Sequence, residues 1–243
     1  MKPFLTVLIV AGLTACSGCR SEHALSWRTE GGPQKPFVTD SDYVEISYPF
    51  AVGGPAADSI NRQIAEQLKS AFAPEGTGCA GMTVAGTADS IIARKNRDTA
   101  TRRMPYDLRA AGRVSRCGDI ASVHLTTYRM TGGAHGVAND YVLNFDVRSG
   151  ARLGLTDWVS DTARFREINR QAFAKFMLDA GLSEEALFVR ADDVPLPDNI
   201  RIDSSGLTMH YNPYEIAPYV FGSTEYLIPY DRIESVLRRI ARK

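Results

Sequence analysis

Ile120-Ala121-Ser122-Val123-His124-Leu125-Thr126-Thr127-Tyr128-Arg129-Met130 decides the fold. On an extended chain Ala121, Val123, Leu125 and Thr127 fall on one face, and Ser122, His124, Thr126 and Tyr128 on the other. The alternation predicts a strand over residues 120–130. Residues 106–115 and 139–147 read as its neighbours, and the short connections make the three an antiparallel meander. Thr131-Gly132-Gly133-Ala134-His135-Gly136 joins the second strand to the third, and its glycines permit positive φ and close backbone approach.

Upstream, residues 43–49 alternate as a strand. Gly53-Gly54-Pro55 opens a helix, with Pro55 suited to the first turn. Ala57, Ile60, Ile64, Leu68 and Ala71 recur at three and four, so they line one buried stripe. Pro74 and a Gly-rich run to Gly86 end that helix, and residues 89–103 read as helix or loop. Downstream, Arg148-Ser149-Gly150 is a turn and Leu153-Gly154-Leu155 a short strand. Ser160 or Asp161 caps a second helix with the stripe Phe165, Ile168, Ala172, Phe176 and Met177. Gly181 closes it in the left-handed position, with Leu182 packing back. Val194-Pro195-Leu196-Pro197 breaks the chain. Residues 207–211 and 224–228 are two further strands. A last helix is expected with Asp231 as N-cap, Glu234 as capping-box partner and Ile233, Val236, Leu237 and Ile240 as its stripe. The sum is α+β, antiparallel sheet with about three packed helices.

The N-terminus carries a different signal. A basic Met1-Lys2 precedes an uncharged run over residues 4–13, the pattern of an export signal. At about 1.5 Å per residue that run is too short to span a hydrocarbon core of ~30 Å. It ends Leu13-Thr14-Ala15-Cys16, which matches a bacterial lipobox and predicts acylation of Cys16 after removal of residues 1–15. Acyl chains supply about 0.8 kcal/mol per buried methylene, and two make anchoring stable. Residues 16–36, rich in Ser, Gly, Pro and charge, read as a flexible tether. Ser17 rather than Asp after the anchor favours the periplasmic face of the outer membrane.

Lys+Arg and Asp+Glu balance at 28 each, which argues against a nucleic-acid binder. Two local asymmetries lie within that balance. Arg94, Lys95, Arg97, Arg102, Arg103, Arg109, Arg113 and Arg116 make one stretch basic, and Asp179, Glu184, Glu185, Asp192, Asp193, Asp198 and Asp203 make another acidic; both read first as solvated faces. Export permits disulfides, so Cys79 and Cys117 are expected to pair, with Cys19 left in the tether. Such a closure typically contributes about 2–4 kcal/mol.

No catalytic set emerges. His135 has the chemistry of a metal ligand or base, but no HxH, HxxxH or HExxH accompanies it and His23, His124 and His210 are scattered; a ring bonded to local backbone is the plainer reading. No cofactor or metal is expected. Tyr211-Asn212-Pro213-Tyr214-Glu215-Ile216-Ala217-Pro218-Tyr219 is the most unusual run. A rigid, Tyr-rich loop suits binding because ordering it costs little entropy. A buried crossover whose tyrosines plug the core fits equally. A glycosidase would need a second carboxylate facing Glu215, for which Asp157 or Asp140 would have to serve.

The Thr131–Gly136 turn, Asn144-Phe145-Asp146, Leu155-Thr156-Asp157, the Tyr211–Tyr219 run, Gly222-Ser223 and Ile228-Pro229-Tyr230 together resemble the RsiV C-terminal-like domain. The resemblance covers about half the chain and implies an N-terminal α+β subdomain over 37–126 and the RsiV-like subdomain over 127–243. In the best-understood relatives these domains form the outer part of a membrane-anchored anti-sigma factor that binds lysozyme. A lipobox stands here where those relatives have a transmembrane helix, so the resemblance implies binding without inward signalling by the same route. The resemblance implies an envelope lipoprotein that binds a lysozyme-like muramidase or other peptidoglycan hydrolase, as inhibitor or immunity protein. Tyr211, Pro213, Tyr214, Glu215, Pro218, Tyr219 and His135 are the expected partner-binding residues. The alternative is a non-catalytic lipoprotein that binds peptidoglycan or senses envelope stress.

Overall fold

The computed structural model describes residues 25–35, 41–74 and 79–238. Cys16, Cys19, His23 and Ile240, and with them the expected signal and lipidation site, lie outside the described residues. The chain is α+β, as its patterning predicts, and is built on two sheets.

The first sheet has five strands in the order β1-β2-β3-β4-β5. β1 (Ser26–Lys35) and β2 (Tyr43–Val52) pair antiparallel, with Ser26 opposite Val52. α1 (Ala56–Phe72) and α2 (Val84–Arg97) follow. They carry the chain back across the sheet, so β3 (Asp107–Cys117) lies parallel to β2, with Tyr43 opposite Asp107. β4 (Ile120–Met130) and β5 (Val137–Asp146) complete the expected meander. Ile60, Ile64 and Leu68 of α1 and Ile91 and Ile92 of α2 bury against Val44, Ile46, Leu108, Val123 and Leu125 of the sheet.

One expectation is corrected in this half and two are refined. Residues 26–35, read as tether, form a ten-residue strand. Its Ser/Gly/Pro composition resembles a linker, but Gly31 sits at φ 94° with the space for a Cβ filled by the Ile46 carbonyl at 2.1 Å, so this glycine serves close strand packing. The ambiguous 89–103 segment is the second half of α2 and the turn after it; the helix starts earlier because Thr83 Oγ1 accepts from the Gly86 N–H at 3.0 Å. The boundary drawn at 126/127 falls within β4, whose two halves share one continuous ladder.

The short α3 (Leu155–Trp158) leads into α4 (Thr162–Ala180). Asp161 caps α4 by accepting from the Arg164 N–H. Gly181 ends it at φ 64°, with the Leu182 N–H donating to the Met177 carbonyl. β6 (Asn199–Ile202), β7 (Gly206–Tyr211) and β8 (Thr224–Pro229) form a three-stranded antiparallel sheet. Phe165, Ile168, Phe173 and Met177 of α4 pack on Leu207, Met209, Tyr211, Tyr226 and Ile228 to make a second core. The expected final helix is only α5 (Tyr230–Ile233) and a 3-10 turn at Glu234–Val236. The chain then extends so that Leu237 pairs with Val159 and the Arg238 N–H donates to Trp158. Ile233, Val236 and Leu237 are buried as the stripe required, but from three different conformations: the end of α5, the 3-10 turn and extended backbone.

No disulfide joins Cys79 to Cys117. Cys117 is buried in the second core, 3.3 Å from the Tyr230 hydroxyl, whereas Cys79 packs on the first. Burial, with help from the Cys117 contact, pushes the Tyr230 hydroxyl pKa up.

The two sheets meet along a polar seam. Ser122 and Asn144, paired across β4 and β5, bond each other and reach the Ile202 and Ile200 carbonyls of β6. That contact buries Ser122 and His124, the face of β4 that its sequence marks as polar. β5 is an edge strand, and two side chains cap its backbone: Asn199 accepts from the Val142 N–H at 2.8 Å and Asn212 from the Asp140 N–H at 2.7 Å.

Candidate binding surface

The Tyr/Pro run connects β7 to β8 and divides the two readings open to it. Tyr211 is only 1% exposed. Its hydroxyl donates to the Pro195 carbonyl at 2.7 Å and lies 3.2 Å from the Tyr226 hydroxyl, which donates to Asn169. Burial raises both tyrosines' pKa values, so they remain neutral donors. Tyr211 is therefore a core residue, as the buried-crossover reading of the run has it, and it anchors the loop from below its surface.

At Asn212 the chain leaves the core and turns. The Glu215 N–H donates to the Asn212 carbonyl at 3.1 Å, closing a four-residue turn with Pro213 second and Tyr214 third. Tyr214 has φ 72°, the only positive φ outside glycine among the described residues. A residue with a Cβ costs about 1–2 kcal/mol there. The Glu215 carboxylate accepts from the Asn212 N–H at 3.0 Å and from its side-chain amide at 3.3 Å. Glu215 thus shapes the turn. The same amide donates to the Asp140 carbonyl, so Asn212 grips both backbone groups of that β5 residue.

The turn displays Tyr214, 53% exposed, with its ring stacked on Tyr219 at 5.6 Å. Tyr219 in turn stacks on His135 at 4.4 Å and 26°. The Tyr219 hydroxyl donates to the Gly136 carbonyl at 3.1 Å. The same carbonyl accepts from His135 Nδ1 at 3.0 Å, which fixes the proton on that nitrogen. Gly132 and Gly133 take positive φ, and Gly136 lies so close to the Tyr128 ring that a Cβ would approach it to 2.3 Å. Two motifs about eighty residues apart in sequence thereby build one row of three rings, His135, Tyr219 and Tyr214. Pro213 and Pro218 flank it half-buried.

Asp140, held by Asn212, centres a cluster whose histidines looked scattered in the sequence. Asp140 Oδ1 accepts from His124 Nε2 at 2.7 Å and Thr126 Oγ1 at 2.6 Å. His210 Nε2 is 3.2 Å from Oδ2, outside good hydrogen-bond geometry. Both imidazoles are 5% exposed and cross edge-to-face at 5.8 Å. Burial alone would raise the Asp140 carboxyl pKa, but the contacts from His124, His210 and Thr126 outweigh it and hold it well below the usual range. The hairpin register, with Thr126 opposite Asp140, was the available signal for half of this cluster; His210 arrives from the other sheet. Among the described residues, no group of three or more His, Cys, Asp or Glu side chains is placed to hold a metal ion. Asp157, the other partner considered for Glu215, accepts from the Gly154 N–H and so caps α3.

Residues 158–231 match the family described as Protein of unknown function (DUF3298). No curated protein matches the chain. A crystal structure of a DUF3298 family member from Bacteroides fragilis NCTC 9343 superposes with TM-score 0.69 at 20% identity, covering 91% of this chain and 96% of that one. A DUF3298 family protein from Pseudomonas aeruginosa PAO1 superposes with TM-score 0.64 at 17% identity, covering 90% and 94%. The chain has the fold of the DUF3298 proteins, and the segment that matches the family carries α4, the three-stranded sheet and the Tyr/Pro loop.

Proposed function

We propose that this chain is a non-catalytic envelope lipoprotein that binds and inhibits a lysozyme-like muramidase or another peptidoglycan-degrading enzyme. The observation that carries the reading is the His135–Tyr219–Tyr214 row. Its rings, with Tyr214 the exposed end, are preorganised by stacking, by two hydrogen bonds to Gly136 and by a strained turn. Such a row loses little entropy on docking. Strain at Tyr214 suits a position kept for contact. Tyr214, Tyr219 and His135 make the contact; Pro213, Glu215 and Pro218 shape the loop; Tyr211 anchors it. The lipid on Cys16 holds the module to the membrane, and the acidic stretch steers a basic enzyme toward it.

The test is capture of c-type, g-type and bacterial muramidases by the full chain in mild detergent, with muramidase activity followed in parallel. Any shortened form must keep Ser26–Lys35, because removing it strips β1 from the sheet. Saturable binding with loss of activity is expected, and Tyr214→Ala with Tyr219→Ala should abolish both in a chain that stays folded. Capture of none of these enzymes overturns the reading. The exposed Tyr214 ring also suits a sugar ring, which favours direct glycan binding as a second reading; co-sedimentation with purified peptidoglycan free of protein would select it.

A further inference from the structure

A cleft of about 310 Å³ opens between α4 and the β7–β8 connection. Phe173, Phe176, Leu182, Leu187, Ile216 and Phe221 make it apolar, and Glu225 reaches its wall. Phe173 is fully buried, while Phe221 is 40% exposed. Two residues adjoining this lining extend the open apolar surface. Val220 is 85% exposed beside Phe221, and Phe188 is 59% exposed with its N–H donating to the Ile216 carbonyl. Apolar surface gathered around a cleft is the mark of an interaction site. The Tyr214–Tyr219–His135 row does not contribute to it.

Acidic residues are gathered on the elements that line the cleft and on the turn that follows them. Asp179 lies in the last turn of α4, Glu184 and Glu185 in the 3-10 turn that precedes Leu187, Asp192 and Asp193 in the next, and Glu225 on β8. Ion pairs to this group come from Lys175, Arg190 and Arg201, so six carboxylates face three cations. The last turn of α4 carries no basic residue, whereas those of α1 and α2 do. Its partial negative charge adds to the acids that follow.

We propose that this cleft seats an apolar side chain borne on a cationic segment of a partner protein. An aromatic or branched aliphatic residue fills the space between Phe176 and Phe221 while flanking lysines or arginines meet Asp179, Glu185 and Glu225. This rests on the reading of the chain as a binder of a basic protein, and it assigns a second contact region to that partner.

The test titrates the full chain in mild detergent with three fluorescein-labelled pentapeptides, read by anisotropy. One is lysine-rich with a central tryptophan, one has glycine at the centre, and one is glutamate-rich with the tryptophan. Saturable binding of the first is expected, with the other two weaker by about tenfold or more (about 1.4 kcal/mol). Phe221→Asp should weaken the first peptide by about tenfold. Glu185→Lys, at an exposed position outside both cores, should weaken it as well and reduce its salt dependence. No binding of the lysine-tryptophan peptide, equal binding of the glycine-centred or glutamate-rich peptide, or indifference to both cleft variants overturns the proposal. A muramidase held equally by wild type and Phe221→Asp also overturns it, while leaving the aromatic-row reading in place. Capture of the peptide without capture of any muramidase sinks the muramidase reading and keeps the cleft.

Discussion

The two cores of this chain are made of different material. The first is nearly all aliphatic: Ile60, Ile64, Leu68, Val44, Ile46, Leu108, Val123 and Leu125. The second sets a cluster of rings among its aliphatics, with Trp158, Phe165, Phe173, Tyr211 and Tyr226 buried and Asn169 fully buried as well. Aliphatic packing is non-directional and follows area. The ring cluster brings hydroxyls inside, and each must find a partner. Hence the relay from Tyr211 to Pro195 and from Tyr226 to Asn169. One consequence reaches the surface: the strand that ends at Tyr211, locked by that relay, sets where the Tyr214 turn emerges.

The largest effect should come from cutting the ring cluster of the second core at a ring that touches three others. Phe173 packs against Phe176, Tyr211 and Tyr226. Phe173→Ala should cost about 3–5 kcal/mol, measured by urea unfolding. In the first core, Ile64→Val should cost only about 0.5–1.5 kcal/mol. If Phe173→Ala lowered the near-UV signal of the second core without moving the far-UV transition of the first, the two halves would be separate folding units. A single shifted transition would make the polar seam at Ser122, Asn144 and Asn199 strong enough to couple them.

The difference between the cores also explains how far the sequence could be read. Aliphatic periodicity in residues 57–71 and alternation in residues 120–130 announced α1 and β4 directly. Caps announced both ends of α4. What could not be read was pairing between distant segments. β1 has a linker's composition, and its strand character comes from β2 alongside it. β6 is four residues long, with only Ile200 and Ile202 to mark a face. The C-terminal stripe was real in burial but wrong in period, because a bridge to Val159 pulls the backbone straight. At the candidate site each motif stood out alone. That His135 stacks on Tyr219 follows only from bringing the β4–β5 turn to the β7–β8 loop, and that depends on Asn212 gripping Asp140.

Asp140 joins the halves and gives the next prediction. Its folded carboxyl titrates well below the unfolded value of about 3.9. A depressed carboxyl contributes stability that is full above about pH 4 and is lost as pH falls through the folded value. Hydrogen bonds to a charged group contribute about 1.5–3 kcal/mol each. Asp140→Asn should therefore cost about 2–3 kcal/mol at pH 7. Its deficit relative to wild type should shrink steadily as the solution is taken below pH 4. A deficit independent of pH would mean that Asp140 acts through its backbone grip with Asn212 and not through its charge.

The smallest effect is the most informative about function. Tyr214 holds a left-handed backbone that disfavours any residue with a Cβ by about 1–2 kcal/mol. Glycine relieves that strain but loses more chain entropy on folding, by roughly 0.5–1 kcal/mol, and gives up the stack on Tyr219. Tyr214→Gly should therefore raise stability only slightly, by about 0.5 kcal/mol. The same change removes the most exposed ring of the row and should weaken partner capture. Greater stability with weaker binding is the signature of strain kept at a contact surface. A loss of stability with binding intact would make Tyr214 a packing residue like Tyr211, and the contact surface would then have to lie elsewhere on the second half.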